Sequence, residues 1–553
     1  MPFYPQITYD DNLKVWSGGE KSNYFAPHLS IGQIIFREME RHPKLIAQIS
    51  ATEKTVLTRE EVRFNAMRVA SYMRGLGLKQ TDIVGLMARN TTHLVAVAYA
   101  CFFNGVPFHS LNISYEQETI EKLFRITRPR LIFCDGDEYE RVLAAAETLQ
   151  LDSTIISMRH HPFGCLRIQD ILTTPIEDNF QPSQLEQGPD QTLAILCSSG
   201  TTGVPKAVTI TNSQQVLLTF FRLTSNDVQY THSTLDWISG LITIISAGVF
   251  STTSIIADNV FDPACMCRMI EEYKITFIFQ CPSHMAMLAN CPEFESSDLS
   301  SIRFYIYGGS NCSLEVQSRI RSRLSHDCLH FAYAVTELNS VGCTNLHFDE
   351  KPNSVGRPIR GISLKIINAQ GEALGPNETG QVCFHNGQNW SGYYGNPEET
   401  RIVRDSQKWL HTGDLGYMDG DGFLYIIDRQ KDMLKYHNIM YYPSEIETVI
   451  SQMPNVAEVC VFGVWDAVNG DEAAASVVKR HGSALHAQDV VDYVNESIDA
   501  NYKKLNAGAI IVDDLKRSAN GKTNRHATRA HFLEVTTRRR SENMRYSDRS
   551  EQC

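Results

Sequence analysis

Residues 198–206 combine side-chain types that suit the binding of a polyphosphate. The segment contains four small hydroxyl residues, two glycines and one lysine that follows a proline, and apolar runs flank it on both sides. Glycines let a backbone approach phosphate oxygens, hydroxyls and amides donate hydrogen bonds, and an ammonium supplies charge. We therefore predict a hairpin loop that binds ATP, with a flexible Ser/Thr/Gly surface loop as the alternative. The segment reads Ser198, Ser199, Gly200, Thr201, Thr202, Gly203, Val204, Pro205 and Lys206.

The spacing in this segment differs from that of a P-loop. A P-loop has four residues between its glycines and then Lys-Ser/Thr opening a helix. Here two residues separate Gly200 from Gly203, and Lys206 precedes an alanine. The pattern therefore argues against a P-loop NTPase.

A second candidate segment, residues 333–337, follows an apolar run. Tyr333 offers a flat face for adenine, Thr336 a hydroxyl donor for phosphate, and Glu337 a hard oxygen ligand for Mg²⁺. Alone the signal is weak, because a Thr-Glu pair after a strand is often a helix cap.

Three further segments carry charged side chains in the second half of the chain. Asp414 ends the run Trp-Leu-His-Thr-Gly-Asp, and a carboxylate there could accept two parallel hydroxyl donors; the alternative is an Asx turn before Gly416. Arg429 and Lys431, read alone, are solvated linker charges. Lys522 lies in a polar turn over residues 518–525, where an exposed hairpin lysine is the alternative.

These five segments, in this order, resemble the adenylate-forming superfamily, which includes acyl-CoA synthetases, 4-coumarate:CoA ligases, nonribosomal adenylation domains and beetle luciferases. The resemblance covers residues 30–533 and is greatest to insect luciferase-like acyl-CoA ligases. It implies that residues 198–206 hold ATP and that Asp414 accepts the ribose hydroxyls, with Arg429 reaching the same ribose. It also implies that Ala334 replaces a glycine beside the acyl pocket.

The resemblance assigns lysines to two half-reactions. Lys522 matches the lysine that completes adenylation, where an ammonium stabilises the charge that develops around the α-phosphate. Lys431 falls at the pivot between two domains, and Lys435 lies in the segment used in the second half-reaction. Asn438 stands where the family often has glycine, and asparagine tolerates a positive φ better than most residues.

The substrate side is implied by three positions. Trp237 stands where luciferases carry a second histidine, and Gly308 and Gly309 match the glycine-rich strand end that lines the acyl pocket, with a buried tight turn as the alternative. With the methyl group of Ala334, these residues predict an apolar pocket that is narrow near the carboxylate and prefers aliphatic acids.

The reaction implied by the resemblance has two steps and uses ATP, Mg²⁺ and coenzyme A. A carboxylate and MgATP form acyl-AMP and pyrophosphate, and the CoA thiol then displaces AMP. Two rival functions stay open. One is a luciferase that oxidises its acyl-AMP with O₂, which the tryptophan at 237 opposes. The other is a non-catalytic acyl or nucleotide binder, for which Ala334 and Asn438 are the arguments.

The arrangement of apolar segments predicts an α/β fold. Residues 30–160 alternate strand-like and helix-like segments, the alternation resumes near residue 275, and residues 356–422 contain short strands with many turns. We predict a large adenylation domain of parallel-sheet layers over residues 1–428 that includes this β-rich part. A hinge at 429–431, a small mobile α+β domain at 432–533 and a disordered tail at 534–553 follow.

Composition limits the remaining possibilities. The chain has 553 residues, 42% of them hydrophobic, and a net charge of -12, so nucleic acid is not expected as a partner. It has no window of 18 uncharged apolar residues and no signal-peptide pattern at its start. We expect the fourteen cysteines to be reduced thiols. The last three residues do not match a Ser-Lys-Leu signal, so we expect a cytosolic protein, with a peroxisomal one as the alternative.

Overall fold

The computed structural model describes residues 6–21, 24–198, 205–213, 221–310, 312–325, 328–437, 439–518 and 521–550, with side chains up to residue 537. The chain divides into two compact units. The first contains Met1–Lys365, Cys383–Thr412 and Asp419–Leu424, and the second contains Ile366–Val382, Gly413–Met418 and Tyr425–Cys553.

The helices and strands are numbered separately in chain order. The α-helices are α1 (Ile31–Arg41), α2 (Arg59–Gly75), α3 (Leu94–Asn104), α4 (Gln117–Thr127), α5 (Gly136–Thr148), α6 (Ile168–Ile171), α7 (Ile238–Phe250), α8 (Pro263–Tyr273), α9 (Pro282–Ala289), α10 (Pro292–Ser296), α11 (Leu314–Arg323), α12 (Pro397–Val403), α13 (Pro443–Ile450), α14 (Ala487–Ser497) and α15 (Arg525–Ser550).

The strands of the first half are β1 (Thr8–Asp10), β2 (Val15–Ser17), β3 (Ile46–Ser50), β4 (Val56–Thr58), β5 (Val84–Met87), β6 (Phe108–Ser110), β7 (Leu131–Cys134), β8 (Thr154–Ser157), β9 (Leu166–Arg167), β10 (Thr192–Ser198), β11 (Lys206–Thr211), β12 (Val228–Thr231), β13 (Thr253–Ile256) and β14 (Phe277–Gln280). Those of the second half are β15 (Phe304–Gly308), β16 (Leu329–Tyr333), β17 (Cys343–Asn345), β18 (Arg357–Pro358), β19 (Ser363–Ile367), β20 (Ala373–Leu374), β21 (Gly380–His385), β22 (Leu410–Met418), β23 (Leu424–Arg429), β24 (Leu434–Tyr436), β25 (Ile439–Tyr441), β26 (Val456–Asp466), β27 (Gly470–Lys479) and β28 (Gly508–Val512).

Two large sheets dominate the first unit. One, here called the seven-stranded sheet, has the order β11-β10-β6-β5-β7-β8-β9 and is parallel except for the antiparallel pair β10–β11. The other has the order β18-β17-β16-β15-β14-β12-β13-β3-β4, and its six strands from β16 to β3 run parallel. Helices alternate with these strands along the chain, so the predicted α/β class is confirmed.

Helix signals in the sequence are reproduced locally. The apolar side chains of α1 recur at helical spacing and are buried, and a capping box between Ser30 and Gln33 begins the helix. The predicted capping box between Thr58 and Glu61 begins α2. Helices α1, α2, α3 and α7 pack into one apolar core with the strands of the seven-stranded sheet.

Strand β11 lies at an edge of the seven-stranded sheet, and a short loop covers it. The N–H of Thr209 donates to the carbonyl of Gly392 at 3.2 Å, and the N–H of Tyr394 donates to that of Ala207 at 2.8 Å. Covering an edge satisfies backbone groups that would otherwise pair with another chain.

The second unit contains its own sheet and core. Strands β25-β24-β27-β26 are hydrogen-bonded in that order, and β28 pairs parallel with β27. Helices α13, α14 and α15 pack against β26 or β28. This is the α+β arrangement predicted for the C-terminal part of the chain, and it encloses a separate apolar core.

The structure divides the chain differently from the predicted linear boundary. The second unit includes parts of β19, β21 and β22 and most of β23, in addition to residues 432–533. Helix α15 extends to Ser550 and includes most of the segment for which composition predicts disorder. That segment is rich in arginine and glutamate, which favour helices even where no apolar face is available for packing.

The described part of the chain has other features that bear on function. None of its thirteen cysteines forms a disulfide, and it contains no group of three or more His, Cys, Asp or Glu side chains arranged to hold a metal ion. Among the same residues, no helix has the length and apolarity needed to cross a lipid bilayer.

Candidate nucleotide and acid site

The predicted ATP-binding loop lies at the turn of the β10–β11 hairpin. The two strands are antiparallel, and Ser198 at the end of β10 pairs with Lys206 at the start of β11. This confirms the predicted hairpin. The other candidate ligands of this loop lie outside the described residues, so their roles stay predictions: Ser199, Gly200, Thr201, Thr202 and Gly203.

Lys206 belongs to a continuous set of polar contacts. Its Nζ lies 2.6 Å from Oε2 of Glu399 and 5.0 Å from the ring centroid of Tyr393. The hydroxyl of Tyr393 donates a hydrogen bond to Oε1 of Glu337 at 2.7 Å. Burial, followed by the charge of Glu337, raises the pKa of Tyr393, so the phenol stays protonated and can donate. The structure thus connects the predicted phosphate lysine to the predicted Mg²⁺ ligand through one side chain.

The segment with Tyr333 and Glu337 follows strand β16. Tyr333 ends the strand and is buried, and residues Thr336–Leu338 form a single 3₁₀ turn. The cap position of this turn is Val335, and no side-chain hydrogen bond caps the turn, so the helix-cap alternative is not found. Asn339 adopts a φ of 58°, and its Oδ1 accepts the N–H of Thr211 at 2.7 Å. Asn339 therefore fixes this segment against β11.

The side chains present fit one Mg²⁺ ion that shares its ligands with a nucleotide. Glu337 supplies one carboxylate, and among the described residues it belongs to no group of three or more His, Cys, Asp or Glu side chains that could hold a metal ion. Mg²⁺ is commonly held by one or two carboxylates, with phosphates and water as its other ligands. Glu337 is the residue of this segment that would hold it.

The predicted acid-pocket residues lie at one edge of the nine-stranded sheet. Strands β12, β14, β15 and β16 are parallel neighbours, and Trp237, Gly308 and Ala334 each come after or at the end of one of them. Gly308 is tightly enclosed, because a Cβ there would lie 2.1 Å from the carbonyl oxygen of Ala332. Gly309 has a φ of 98°, which favours glycine. Ligands of parallel α/β sheets bind at such carboxyl edges.

A buried carboxylate lies beside Trp237. Asp236 is 4% exposed; it accepts a hydrogen bond from Nδ2 of Asn112 at 2.8 Å and one from the hydroxyl of Thr234. The side chain of Trp237 also donates to it. Burial raises the pKa of Asp236, and these donors oppose the rise. Asp236 thus helps to fix the indole at the start of α7.

The predicted ribose-binding pair is formed in the second unit. Oδ1 of Asp414 lies 3.3 Å from Nε of Arg429, and the Asp414 side chain is 6% exposed whereas that of Arg429 is 45% exposed. Asp414 lies within strand β22, so the Asx-turn alternative is not found. Gly413 before it adopts a φ of 73°. The pair presents a carboxylate and a guanidinium from neighbouring strands.

The predicted pivot lysine, Lys431, and the lysine predicted for the second half-reaction, Lys435, belong to the second unit. Lys431 lies in the 3₁₀ turn Gln430–Asp432; it is an exposed residue, and its pKa is lowered by partial desolvation and then by the charge of Arg429. Lys435 lies in β24, where its N–H donates to Asp471 at 3.0 Å. Asn438, whose effect on the second half-reaction was in question, lies outside the described residues.

Lys522 lies on the polar hairpin turn predicted from the sequence. Its carbonyl accepts the N–H of Ser518 at 2.8 Å, and Arg517 pairs with Thr523 across the turn. Helix α15 begins three residues later at Arg525, whose guanidinium lies 3.2 Å from Asp432 and 2.9 Å from Glu447. These ion pairs hold the residues around Lys431 within the second unit.

Tyr393, Glu399 and Asp236 were not assigned a role by the sequence reasoning. Tyr393 and Glu399 lie far from residues 198–206 in the sequence, and the turn over residues 392–396 that contains Tyr393 and precedes α12 has the glycine and asparagine content of many surface turns. An aspartate directly before Trp237 was visible, but only the fold reveals that it is buried. No sequence motif therefore predicts the contacts of Lys206 with Tyr393 and Glu399.

Comparison with known proteins identifies two family domains. A family model described as "AMP-binding enzyme" matches residues 35–394, and one described as "AMP-binding enzyme C-terminal domain" matches residues 445–522. The 4-coumarate–CoA ligase CCL1 of Humulus lupulus is 26% identical over 530 residues, covering 92% of this chain and 95% of its own. The luciferin 4-monooxygenase of Luciola mingrelica is 28% identical over 516 residues, with 89% and 93% covered.

A solved structure has the same fold. The ATP-bound MatB of Rhodopseudomonas palustris superposes with a TM-score of 0.81 at 23% identity, covering 92% of this chain and 100% of its own. The likeness therefore extends over both units of the chain.

Proposed function

The chain belongs to the AMP-binding enzyme family of the adenylate-forming superfamily, and on that premise we propose that it is an acid:CoA ligase. It activates a carboxylic acid with ATP to an acyl-AMP, releasing pyrophosphate, and then transfers the acyl group to the thiol of coenzyme A with release of AMP. The relative from Humulus lupulus is named a CoA ligase, which supports this reaction.

The observation that carries the proposal is the set of contacts from Lys206 through Tyr393 to Glu337. A lysine suited to phosphate oxygens and a carboxylate suited to Mg²⁺ belong to one hydrogen-bonded and charge-paired arrangement. ATP bound there is activated by charge neutralisation, and a bound Mg²⁺ supplies a further positive charge on the phosphates. Ser198 and the loop residues 199–203 donate to the same phosphates.

The second unit contributes the remaining groups. Asp414 and Arg429 bind the ribose hydroxyls, since a carboxylate oxygen accepts and a guanidinium donates. Lys522 stabilises the charge that develops around the α-phosphate as the acid attacks. The small domain then turns about Lys431, which withdraws Lys522 and brings Lys435 inward for thioester formation.

We propose an aliphatic acid as the substrate. The indole of Trp237 and the methyl group of Ala334 are expected to make the acid pocket narrow and apolar, and each methylene buried in such a pocket contributes about 0.8 kcal/mol. We therefore expect kcat/KM to rise with the chain length of the aliphatic acid until the pocket ends. We expect Ala334→Gly to raise kcat/KM for fused aromatic acids selectively. Preference for coumarate-like acids over every fatty acid, or no effect of Ala334→Gly, would contradict this pocket.

The deciding experiment measures acid-dependent pyrophosphate release with MgATP across short, medium, long-chain and aromatic carboxylates. Release with at least one acid, followed by CoA-dependent release of AMP, supports the ligase. Release without thioester formation but with light from luciferin and O₂ would favour the luciferase alternative. No release with any acid would favour a non-catalytic binder.

A further inference from the structure

Glu399 holds the ammonium of Lys206 through a short ion pair. The Nζ–Oε2 distance is 2.6 Å, and the two side chains are only 20% and 37% exposed. Glu399 lies in the first turn of α12, which Asn396 caps by accepting the N–H of Glu399 at 3.1 Å. The carboxylate is therefore presented to Lys206 from the capped first turn of α12.

A second contact keeps the lysine at this place. The ring of Tyr393 lies under the ammonium, and its hydroxyl is held by Glu337. The loop carrying Tyr393 is hydrogen-bonded to β11, the strand that begins with Lys206. The ammonium thus lies between one carboxylate and one aromatic face, and the loop that carries the aromatic ring is hydrogen-bonded to the hairpin that carries the lysine.

Phosphate oxygens and the Glu399 carboxylate compete for the same hydrogen-bond donor, the ammonium of Lys206. An ammonium has three N–H donors on one small centre and one positive charge to share. A carboxylate near bound phosphates also repels them, because like charges at short range raise the energy of both. Binding of a polyphosphate by Lys206 therefore requires that the pair with Glu399 be weakened.

We propose that Glu399 is a positioning residue that competes with the ATP phosphates for Lys206 and thereby sets the apparent affinity for ATP. This inference rests on the proposed function, since it takes Lys206 to be a phosphate ligand. If only a fraction of the Lys206 ammonium is released from Glu399, the apparent dissociation constant for the phosphates equals the intrinsic constant divided by that fraction. A partly exposed ion pair of ordinary strength corresponds to an effect of about two- to fivefold.

The test uses Glu399→Gln in the full chain, with Glu398→Gln as the matched control. Glu398 lies one residue earlier in the same helical turn and is exposed, so both variants remove one negative charge from the start of α12. Binding of ATP and of inorganic tripolyphosphate is measured by calorimetry, and the KM for ATP is measured with an active acid. We expect Glu399→Gln to tighten binding and lower KM about two- to fivefold, with a smaller change in kcat, and Glu398→Gln to change neither.

A Lys206→Ala background distinguishes the proposed contact from a general effect. In that background Glu399→Gln should tighten tripolyphosphate binding less than it does when Lys206 is present, because only the direct charge repulsion is left. Equal tightening in both backgrounds would overturn the proposal. Unchanged or weaker binding in Glu399→Gln alone, or equal tightening by Glu398→Gln, would overturn the proposal. Wild-type protein that releases no pyrophosphate with any acid would instead reject the proposed ligase function. Tripolyphosphate calorimetry would still decide the role of Glu399.

Discussion

Lys522 is the residue on which the proposed first half-reaction depends most directly. It lies on a hairpin turn whose backbone is fixed by hydrogen bonds from Ser518, so the turn can present the lysine reproducibly. A positioned charge acts more strongly on a transition state than on a ground state when the charge to be stabilised develops during the reaction. This makes the role of Lys522 separable from a role in ATP binding.

For Lys522→Ala we expect a loss of about 2–4 kcal/mol of transition-state stabilisation in acyl-AMP formation. Thioester formation from pre-made acyl-AMP should be largely retained, because the proposed second step does not use this lysine. Single-turnover rates of acyl-AMP formation and of thioester formation, measured separately, give the two effects. Lys516→Ala, an exposed lysine beside the same turn, is the control. Equal loss in both half-reactions would remove the assignment.

Asp135 is a buried carboxylate whose ionisation affects stability. It is fully buried at the end of β7, accepts the N–H of Arg89 at 3.1 Å and lies 3.1 Å from Nε of Arg159. Burial raises the pKa of Asp135 from 3.8 to about 6, although Arg159 opposes the rise. Between about pH 4 and pH 6 the folded chain therefore keeps a proton that the unfolded chain has lost.

This predicts that Asp135 makes the free energy of unfolding fall as pH rises from about 4 to 6. Asp135→Asn removes that contribution, so its stability should fall less with pH than that of the wild type in this window. The urea midpoint at several pH values measures the difference. Glu140→Gln, an exposed acid of the same helix α5, should follow the wild type. Parallel curves for all three proteins would contradict the prediction.

Element types were largely predictable from local patterns. Capping boxes and apolar spacing located α1 and α2, and apolar runs located β5, β7 and the β10–β11 hairpin, because these signals act within a few residues. The segment around Asp414 predicts a nucleotide ligand, but its place within strand β22 depends on pairing with β21 and β23, which the short motif does not encode. The contacts of Glu399 and Tyr393 join segments more than 180 residues from Lys206, which no local pattern encodes.

Strand β22 depends on a glycine to aim Asp414. Gly413 has a φ of 73°, and a Cβ added there would meet no atom within 4 Å. Substitution would therefore strain only the backbone, by about 1–2 kcal/mol, and the chain can relieve the strain by shifting the next residue. The position of the Asp414 carboxylate is thus sensitive to residue 413.

We expect Gly413→Ala to lower kcat/KM for ATP by about five- to thirtyfold, because relief of the strain moves Asp414 from the ribose. Gly420→Ala is the control, since that glycine also has open space around it but does not adopt a positive φ. Steady-state kinetics with varied ATP, together with melting temperatures, measure both variants. Equal kinetics for the two would show that the backbone at 413 does not aim Asp414.

At the scale of the whole molecule, the reactivity of the cysteine thiols depends on how the chain is packed. Nine of the thirteen described cysteines are buried, and burial raises the pKa of Cys267 to about 11 and that of Cys460 to about 12. Thiolate, not thiol, is the nucleophile, so buried cysteines react slowly. The same thiols become accessible when the two cores open.

We therefore expect a thiol-specific reagent at pH 8 to react quickly with a minority of the cysteines in the native protein and with all fourteen after denaturation. Prior reduction should not change the number counted after denaturation, because none of the described cysteines forms a disulfide. Spectrophotometric thiol counts measure both values. A lower count in the unreduced, denatured protein would reveal a disulfide.

The loop that covers strand β11 also affects folding during synthesis, because the edge of this strand cannot be covered until the loop has been made. Strand β11 is synthesised about 180 residues before Gly392 and Tyr394, whose backbone groups complete its edge. Until those residues emerge, a nascent chain presents an unpaired strand edge next to the predicted nucleotide loop. Long-range closure of this kind is slow and exposes aggregation-prone edges. A nascent chain of this length is therefore expected to depend on chaperones until synthesis has passed residue 400.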